Sequence, residues 1–390
     1  MKRILVVNHF PVVNPPISGG TLRYFHLYKE LSRYYDITLL SQTKGRKEGL
    51  FHYTPSFREY KVRKDSLFDE VRRKLPSSIP LYELGLIVNM ELAKHDTTFK
   101  KQFERFYETS DLIIHESPFL LGYDRFLGID GKPRIYNSHN HEYHLASQLW
   151  KDENSKAYLP DVFKLEQKLG AEADLIFTTS ETERNSFIKV YKAAPAKVKL
   201  APNGIHPGEW LPPEKNANEK PVGLFIGSEY PPNIDAAGFI VNELANKCPK
   251  LDFVIAGGCS NPFSKISRAN VQLLGRIPHQ SKLRLIASSN FALNPMFTGA
   301  GINIKTLEFL SAGLPLFSTA YGMRGLNAVA EKHYIPAQKN DFAEKLNQSV
   351  HNEKRLSQIA LSGQQYINKN YSWQSIAKKM QNDMAKTLNF

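Results

Sequence analysis

Short runs of β-branched and leucine residues alternate along this chain with longer stretches whose apolar residues recur at helical spacing. The runs predict strands over Arg3–Val7, Asp36–Leu40, Leu112–His115, Arg134–Tyr136, Leu175–Thr178 and Val198–Leu200. A second series predicts strands over Val222–Ile226, Asp252–Ala256, Val271–Leu274, Phe291–Leu293 and Leu316–Ser318. Between them the pattern predicts helices over Thr21–Tyr34, Glu181–Val190, Ile234–Asn246, Ser281–Ala287 and Ile304–Ala312. A strand that is apolar at every position is covered on both faces, the condition of a parallel sheet flanked by helices. Two such series predict two doubly wound α/β domains.

The predicted boundary is compositional. Ala201-Pro202-Asn203-Gly204 is turn chemistry, and the polar, proline-rich stretch from Pro207 to Pro221 buries little surface and reads as a linker. The closing segment Ser372–Phe390 places Trp373, Ile376, Met380, Met384 and Leu388 near helical spacing. Its pattern predicts a helix and says nothing of where that helix packs.

Length agrees with two domains, since 390 residues exceed one ordinary core. The two cysteines, Cys248 and Cys259, have no further cysteine at metal-ligand spacing, which argues against a disulfide scaffold and fits a reducing cytoplasm. The first apolar run ends at Asn8 and His9, too short for a signal peptide, and no stretch reaches the roughly 18 apolar residues of a spanning helix. A cytoplasmic protein, soluble or peripheral at a membrane, is expected. The net charge of +13 implies an anionic ligand or surface. Nucleic acid is not expected as a partner, because no zinc-finger, RRM-like or helix-turn-helix pattern accompanies the charge.

The charge is unevenly spread. Lys44, Arg46, Lys47, Arg58, Lys61, Arg63, Lys64, Arg72, Arg73 and Lys74 interleave with Leu50, Phe51, Tyr53, Phe57, Tyr60 and Phe68. Two readings stand: contact with an anionic membrane, or a solvated segment whose aromatics fold back on the domain.

Candidate chemistry concentrates after the predicted strand Phe291–Leu293. Thr298-Gly299-Ala300-Gly301 leads into the helix Ile304–Ala312, which Gly313 stops. A Gly-x-Gly turn at a helix start aims backbone amides at an anion, and the helix dipole adds to them. Gly299 and Gly301 would admit a diphosphate closely, and Lys305 in the first helical turn would add positive charge. Glu308 follows three residues on, on the same face, where a carboxylate could accept from both ribose hydroxyls. The bland reading is a tight turn with a surface Lys–Glu pair. HNHEYH at 139–144 offers three histidines beside Glu142. Metal binding, a histidine at a reacting sugar, and plain helix capping by Asn140 all fit that cluster.

The wider context resembles the GT-B glycosyltransferases, in particular the retaining family 4. The landmarks occur in order along nearly the whole chain: Ser18-Gly19-Gly20-Thr21 after the first strand, HNHEYH, ADLIFTTS at 173–180, KVKLAPNGIH at 197–206, FIGSEYPPNIDA at 225–236 and GAGINIKTLEFLSAGLPLFST at 299–319. The resemblance implies an α/β, GT-B fold, two doubly wound Rossmann-like domains facing across a cleft. An acceptor-side domain at 1–205, a donor domain at 206–372 and a closing helix, 373–390, returning to the first domain would follow. It implies sugar transfer from a nucleotide-sugar donor to a glycan or lipid-linked acceptor, with retention and without a metal or other cofactor. Glu308 then matches the ribose-binding carboxylate. Lys305, with Gly299, Ala300, Gly301, Ile302, Asn303 and Ile304, matches the diphosphate-binding turn. Gly19, Gly20 and Gly227 match the glycine loops, and Arg276 and Ile277 the segment that contacts the base. His139 is the first match to the histidine near the reacting centre, with His141 second.

The chain departs from the family pattern twice. Ala300 stands where many members carry a first glutamate, eight residues before the second. The loop Gly227-Ser228-Glu229-Tyr230-Pro231 lacks the usual base, so Lys305, alone or with Arg324, would carry the phosphate charge. A non-catalytic nucleotide-sugar-binding scaffold and a nucleotide-sugar epimerase of the same shape remain alternatives.

Overall fold

In the computed structural model of the chain, the described residues are 1–13, 19–45, 47–124, 131–211, 219–299 and 302–388. Ser18, Arg46, Ala300, Gly301 and residues 212–218 of the proline-rich linker lie outside them. Two compact units separate by contact, residues 1–202 with 376–390, and residues 203–375. Each is a mostly parallel sheet with helices between its strands, the doubly wound α/β arrangement that the hydrophobic pattern predicts.

The first unit carries β1 (Arg3–Asn8), β2 (Asp36–Thr43), β3 (Gly49–Thr54), β4 (Phe57–Arg63), β5 (Leu112–His115), β6 (Arg134–Asn137), β7 (Leu175–Thr178) and β8 (Val198–Leu200). Their order across the sheet is β3-β4-β2-β1-β5-β6-β7-β8. All neighbours are parallel except β3 and β4. The chain winds outward from β1 in one direction and from β5 in the other, so the strand order reverses between them. At such a switch point the loops beyond the carboxyl ends part and leave a crevice.

The second unit carries β9 (Val222–Ile226), β10 (Asp252–Ala256), β11 (Val271–Gly275), β12 (Phe291–Asn294), β13 (Leu316–Ser318) and β14 (Ile335–Pro336). Their order is β11-β10-β9-β12-β13-β14, all parallel, and the switch point lies between β9 and β12. Alternate side chains serve opposite faces. Phe225, Phe253, Phe291 and Phe317 enter one buried cluster, while Leu224, Val254, Ala292 and Leu316 enter the other. This two-sided burial is why these strands read as continuous apolar runs.

The basic, aromatic-rich segment is ordered structure and not a loop. β3 and β4 form an antiparallel hairpin, and a helix spans Ser66–Lys74. Phe57 and Phe68 are buried, and Tyr60 packs on Phe106 with ring centroids 5.3 Å apart. The ammonium groups of Lys64 and Lys44 lie 4.0 and 4.7 Å from the Phe68 ring centroid. Most of the aromatics thus fold back on the domain, while Leu50 stays 48% exposed. Polar residues hid the hairpin in the sequence, and one of them faces inward. Glu59 is fully buried and accepts from the Val12 amide at 2.8 Å, Ser41 Oγ at 2.6 Å and Tyr53 Oη at 2.6 Å. A carboxylate so satisfied can stay in the core.

The closing helix spans Trp373–Leu388. Ile376, Met380 and Met384 are buried, and Lys378 Nζ lies 5.1 Å from the Tyr34 ring centroid of the first unit. No helix among the described residues is long and apolar enough to cross a membrane. Cys248 and Cys259 are both buried and unbridged.

Candidate functional site

At the switch point of the second sheet, three loops meet the start of the helix Ile304–Ser311. β12 ends at Asn294, which is fully buried. Its Nδ2 donates to Thr306 Oγ1 and to the Gly322 carbonyl, both at 2.9 Å. One amide therefore ties the helix start to the loop after β13. Thr319 Oγ1 donates to the Met296 carbonyl at 2.5 Å and accepts from the Gly322 amide at 2.9 Å. Gly322 has no alternative here, because a Cβ would lie 2.4 Å from Ser318 Oγ and 2.6 Å from Asn294 Nδ2. Sequence reasoning missed Asn294, although its place at the carboxyl end of a strand beside the switch point is where site residues gather.

Lys305 is buried, and its ammonium donates to Asn233 Oδ1 at 2.6 Å beneath the loop after β9. It also lies 4.5 Å from the Phe225 ring centroid. Burial pushes Lys305 down to about 7, a shift that Cys259 and Glu308 oppose and Arg324 reinforces. The loop that lacks a base serves instead to hold this arrangement. Asn233 Nδ2 donates to the Ser228 carbonyl and to Ser228 Oγ, both at 3.2 Å, which turns the amide oxygen toward Lys305. Gly227 permits the approach, since a Cβ there would lie 2.9 Å from Asn233 Cβ.

Glu308 is 8% exposed and is held by Lys282, whose Nζ donates to Oε1 at 2.7 Å. Lys282 belongs to the helix His279–Ser288 and was not singled out in the sequence. The surface Lys305–Glu308 pair of the bland reading is therefore absent: both residues are buried, and each has its own partner. Arg276 has an 82% exposed side chain that reaches Glu229 at 3.7 Å, so it sits on the rim with Ile277 beside it. Gly299 has a φ of +124°, a conformation that favours glycine. Ile302 is buried, Ile304 is half-buried, and Asn303 Nδ2 donates to the Gly322 carbonyl at 3.2 Å. Ala300 and Gly301 fall outside the described residues.

The first sheet gathers a second set of polar groups beyond the ends of β5 and β6. His139 Nε2 meets Glu116 Oε2 in a short contact, and Glu116 Oε1 accepts from Tyr28 Oη and from Asn137 Nδ2, the latter at 2.7 Å. Burial works against the charged form of Glu116, but His139, Tyr28 and Arg23 outweigh it and hold the carboxyl below its ordinary range. An ionised Glu116 fixes the proton of His139 on Nε2, which leaves Nδ1 toward the first turn of the helix Gly19–Leu31, where the glycines expected as a loop lie. A Cβ on Gly20 would lie 3.9 Å from that Nδ1. Gly19 opens the same helix, Gly19–Leu31. Arg23 is buried and donates to the carbonyls of Ala201 and Pro202 at 2.6 and 3.0 Å and to Asn137 Oδ1 at 2.7 Å.

The histidines of 139–144 have separate partners. His141 is buried between Ser186 Oγ at 2.7 Å and Tyr191 Oη at 2.8 Å, and burial lowers it to about 4. Both of its ring nitrogens are thus engaged within the fold. His144 stacks on His141 with ring centroids 5.9 Å apart. Among the described residues, no three His, Cys, Asp or Glu side chains converge as a metal set. Asn140 does not cap the helix Glu142–Leu149. Glu166 does, accepting from the amides of Glu142 and Tyr143 at 2.9 and 2.8 Å while Tyr136 Oη and Tyr191 Oη donate to it at 2.8 and 2.7 Å. Burial and the Glu166 carboxylate push the neighbouring Glu142 up to about 8.

The comparisons with known proteins agree with this architecture. A family model described as Glycosyltransferase Family 4 matches residues 17–209, and one described as Glycosyl transferase-like matches residues 237–382. An uncharacterized 44.6 kDa protein in the cps region of Klebsiella pneumoniae is 24% identical over 284 residues, covering 67% of this chain and 71% of that one. A D-inositol 3-phosphate glycosyltransferase of Stackebrandtia nassauensis is 26% identical over 172 residues, covering 38% of this chain and 36% of its own length. Among solved structures, the sucrose-phosphate synthase of Thermosynechococcus elongatus superposes with a TM-score of 0.75 at 14% identity over the full length of both chains. The Anabaena protein HepE in complex with UDP-glucose gives 0.66 at 12% identity, over 99% of this chain and 100% of that one. With one family model on each unit and GT-B folds matching from end to end, the chain belongs to the GT-B glycosyltransferases.

Proposed function

We propose that this enzyme transfers a sugar, with retention, from a nucleotide-sugar donor to a glycan or lipid-linked acceptor in the assembly of a surface polysaccharide or glycoconjugate. The observation that carries the donor side is the pairing of buried Lys305 and buried Glu308 on one short helix at the second sheet's switch point. Glu308 has Oε1 on Lys282 and offers Oε2 to a ribose hydroxyl. Lys305 and the amides at the helix start meet the diphosphate. The anomeric carbon–oxygen bond breaks, and its electron pair passes to the departing diphosphate. The acceptor oxygen bonds the same face of the sugar, and its proton leaves on a phosphate oxygen. No metal is assigned a step, because lysine and backbone dipoles supply the positive charge. His139, held by Glu116, is assigned to the reacting sugar.

The cps-region relative supports the polysaccharide setting, and the UDP-glucose bound by HepE makes UDP-sugars the first donors to test. The exposed Leu50, Arg72, Arg73 and Lys74 suit a peripheral position at the inner membrane face. The test is incubation with nucleotide sugars and lipid-linked or glycan acceptors, following release of nucleoside diphosphate. Release that depends on acceptor supports transfer. Conversion of the donor's sugar without release would establish epimerisation instead, and binding without either reaction would establish a scaffold.

Donor binding carries a pH signature. Lys305 sits at about 7 in the free protein, and a diphosphate beside it favours the charged form. Below that pH the ammonium is already protonated, and affinity is level. Above it, binding must take up a proton, and affinity falls by up to about tenfold per pH unit. The diphosphate diester of a nucleotide sugar keeps its charge across this range, so calorimetric titration from about pH 6 to 9 isolates the lysine. Lys305→Arg, charged throughout, is expected to give a level profile.

A further inference from the structure

Arg324, in the loop after β13, is held near the turn that leads to Lys305 by several contacts. Its Nη1 donates to the Tyr321 carbonyl at 3.0 Å, its Nη2 donates to Asn303 Oδ1 at 3.4 Å, and its guanidinium lies 4.7 Å from the Tyr321 ring centroid. Tyr321 Oη in turn makes a short hydrogen bond to the Gly299 carbonyl. The loop itself is pinned through Thr319 and Gly322 to Asn294, Asn303 and Met296. Gly299 is part of the same device. A Cβ there would lie 3.0 Å from Arg324 Nη2, so with a side chain at 299 the guanidinium would have to give by a few tenths of an ångström.

Two cations are thereby brought together against electrostatic cost. Burial disfavours the charge of both, and Arg324 further disfavours that of Lys305. An anion between them reverses that repulsion. The loop after β9, by contrast, carries Ser228, whose oxygens are given to Asn233.

We infer that Arg324 is a second diphosphate-binding base of the donor site, supplied from the loop after β13 because the loop after β9 supplies none. This rests on the donor reading of Lys305 and Glu308. A planar fork fits two phosphate oxygens at once, and the tyrosine behind it fixes its plane.

The experiment measures binding of the common nucleoside diphosphates, and of the matching nucleosides, to the full chain and to Arg324→Gln and Arg324→Lys. For the diphosphate that the unaltered protein binds, Arg324→Gln is expected to weaken affinity on the order of 10- to 100-fold. Arg324→Lys, which keeps the charge and loses the fork, falls between. Affinity for the nucleoside is expected to stay within about twofold, which also shows that the variants are folded. Diphosphate affinity of Arg324→Gln equal to that of the unaltered protein would overturn the assignment and leave the donor site standing. So would equal losses for nucleoside and diphosphate, the mark of a general collapse of the loop. If the unaltered protein binds none of the diphosphates, the donor reading itself is wrong.

Discussion

Lys305→Ala is expected to lower kcat/KM for sugar transfer on the order of 10²- to 10³-fold, the cost of removing one preorganised charge from a departing anion. The loss should fall on both parameters, on the donor's KM because the diphosphate is already charged when it binds, and on kcat because it gains further negative charge as the anomeric bond breaks. Lys305→Arg is no simple rescue. The ammonium occupies a tight site against Asn233, Met296 and Phe225, which a guanidinium would have to leave. That variant should fold and bind the donor while transferring slowly. Steady-state kinetics with a labelled nucleotide sugar check both statements. An unchanged kcat in Lys305→Ala would remove this residue from the mechanism.

His139→Ala is expected to lower kcat on the order of 10²-fold while leaving the donor's KM within about twofold, because the proposed nucleotide site lies in the second unit. On the proposed reading Glu116 acts through His139, as a positioning residue. Glu116→Gln keeps the shape and can still meet Tyr28, but it no longer fixes the imidazole proton on Nε2. About a tenfold fall in kcat is expected, with donor KM unmoved. Combined with His139→Ala it should add little further loss, since the two work as one unit. A purely structural Glu116 would instead lower the melting temperature, move KM and kcat together, and add its full effect to His139→Ala.

Much of the fold was legible because both sheets are parallel. Parallel strands covered on two faces are apolar throughout, and all eleven predicted strands lie at the predicted places, from Arg3–Val7 to Leu316–Ser318. The hairpin of β3 and β4 was not legible, because its one buried face includes Glu59, whose partners Val12 and Ser41 lie far off in sequence. The short pair Ile335–Pro336 carries no pattern at all. Helix boundaries moved where local chemistry decided: Pro231 and Pro232 start a helix that the pattern placed from Ile234, and proline is at home in a first turn.

The site divides in the same way. Lys305 and Glu308 were readable because glycine, lysine and glutamate spacing on one helix is a local signal. Their partners Lys282 and Asn233 lie 26 and 72 residues away, so no spacing could reveal them. His139 was readable within HNHEYH, and Glu116 could have been found, since it directly follows the strand Leu112–His115 at a carboxyl end. What the sequence could not say is how the histidines of this run differ in surroundings. The structure separates them: His141 is locked between Ser186 and Tyr191, and His139 lies near Gly20 in the first turn of the helix Gly19–Leu31. The cap of the following helix comes from Glu166, 24 residues from the amide it receives.

The most direct measurement is equilibrium titration of nucleotide sugars, UDP-glucose first, into the full chain and into Glu308→Gln. A donor is expected to bind the unaltered protein, and Glu308→Gln to weaken it by about tenfold or more, with a smaller loss for the corresponding free pyrophosphate, which has no ribose. Equal affinity of Glu308→Gln and the unaltered protein for the same nucleotide sugar would contradict a donor site built on this helix.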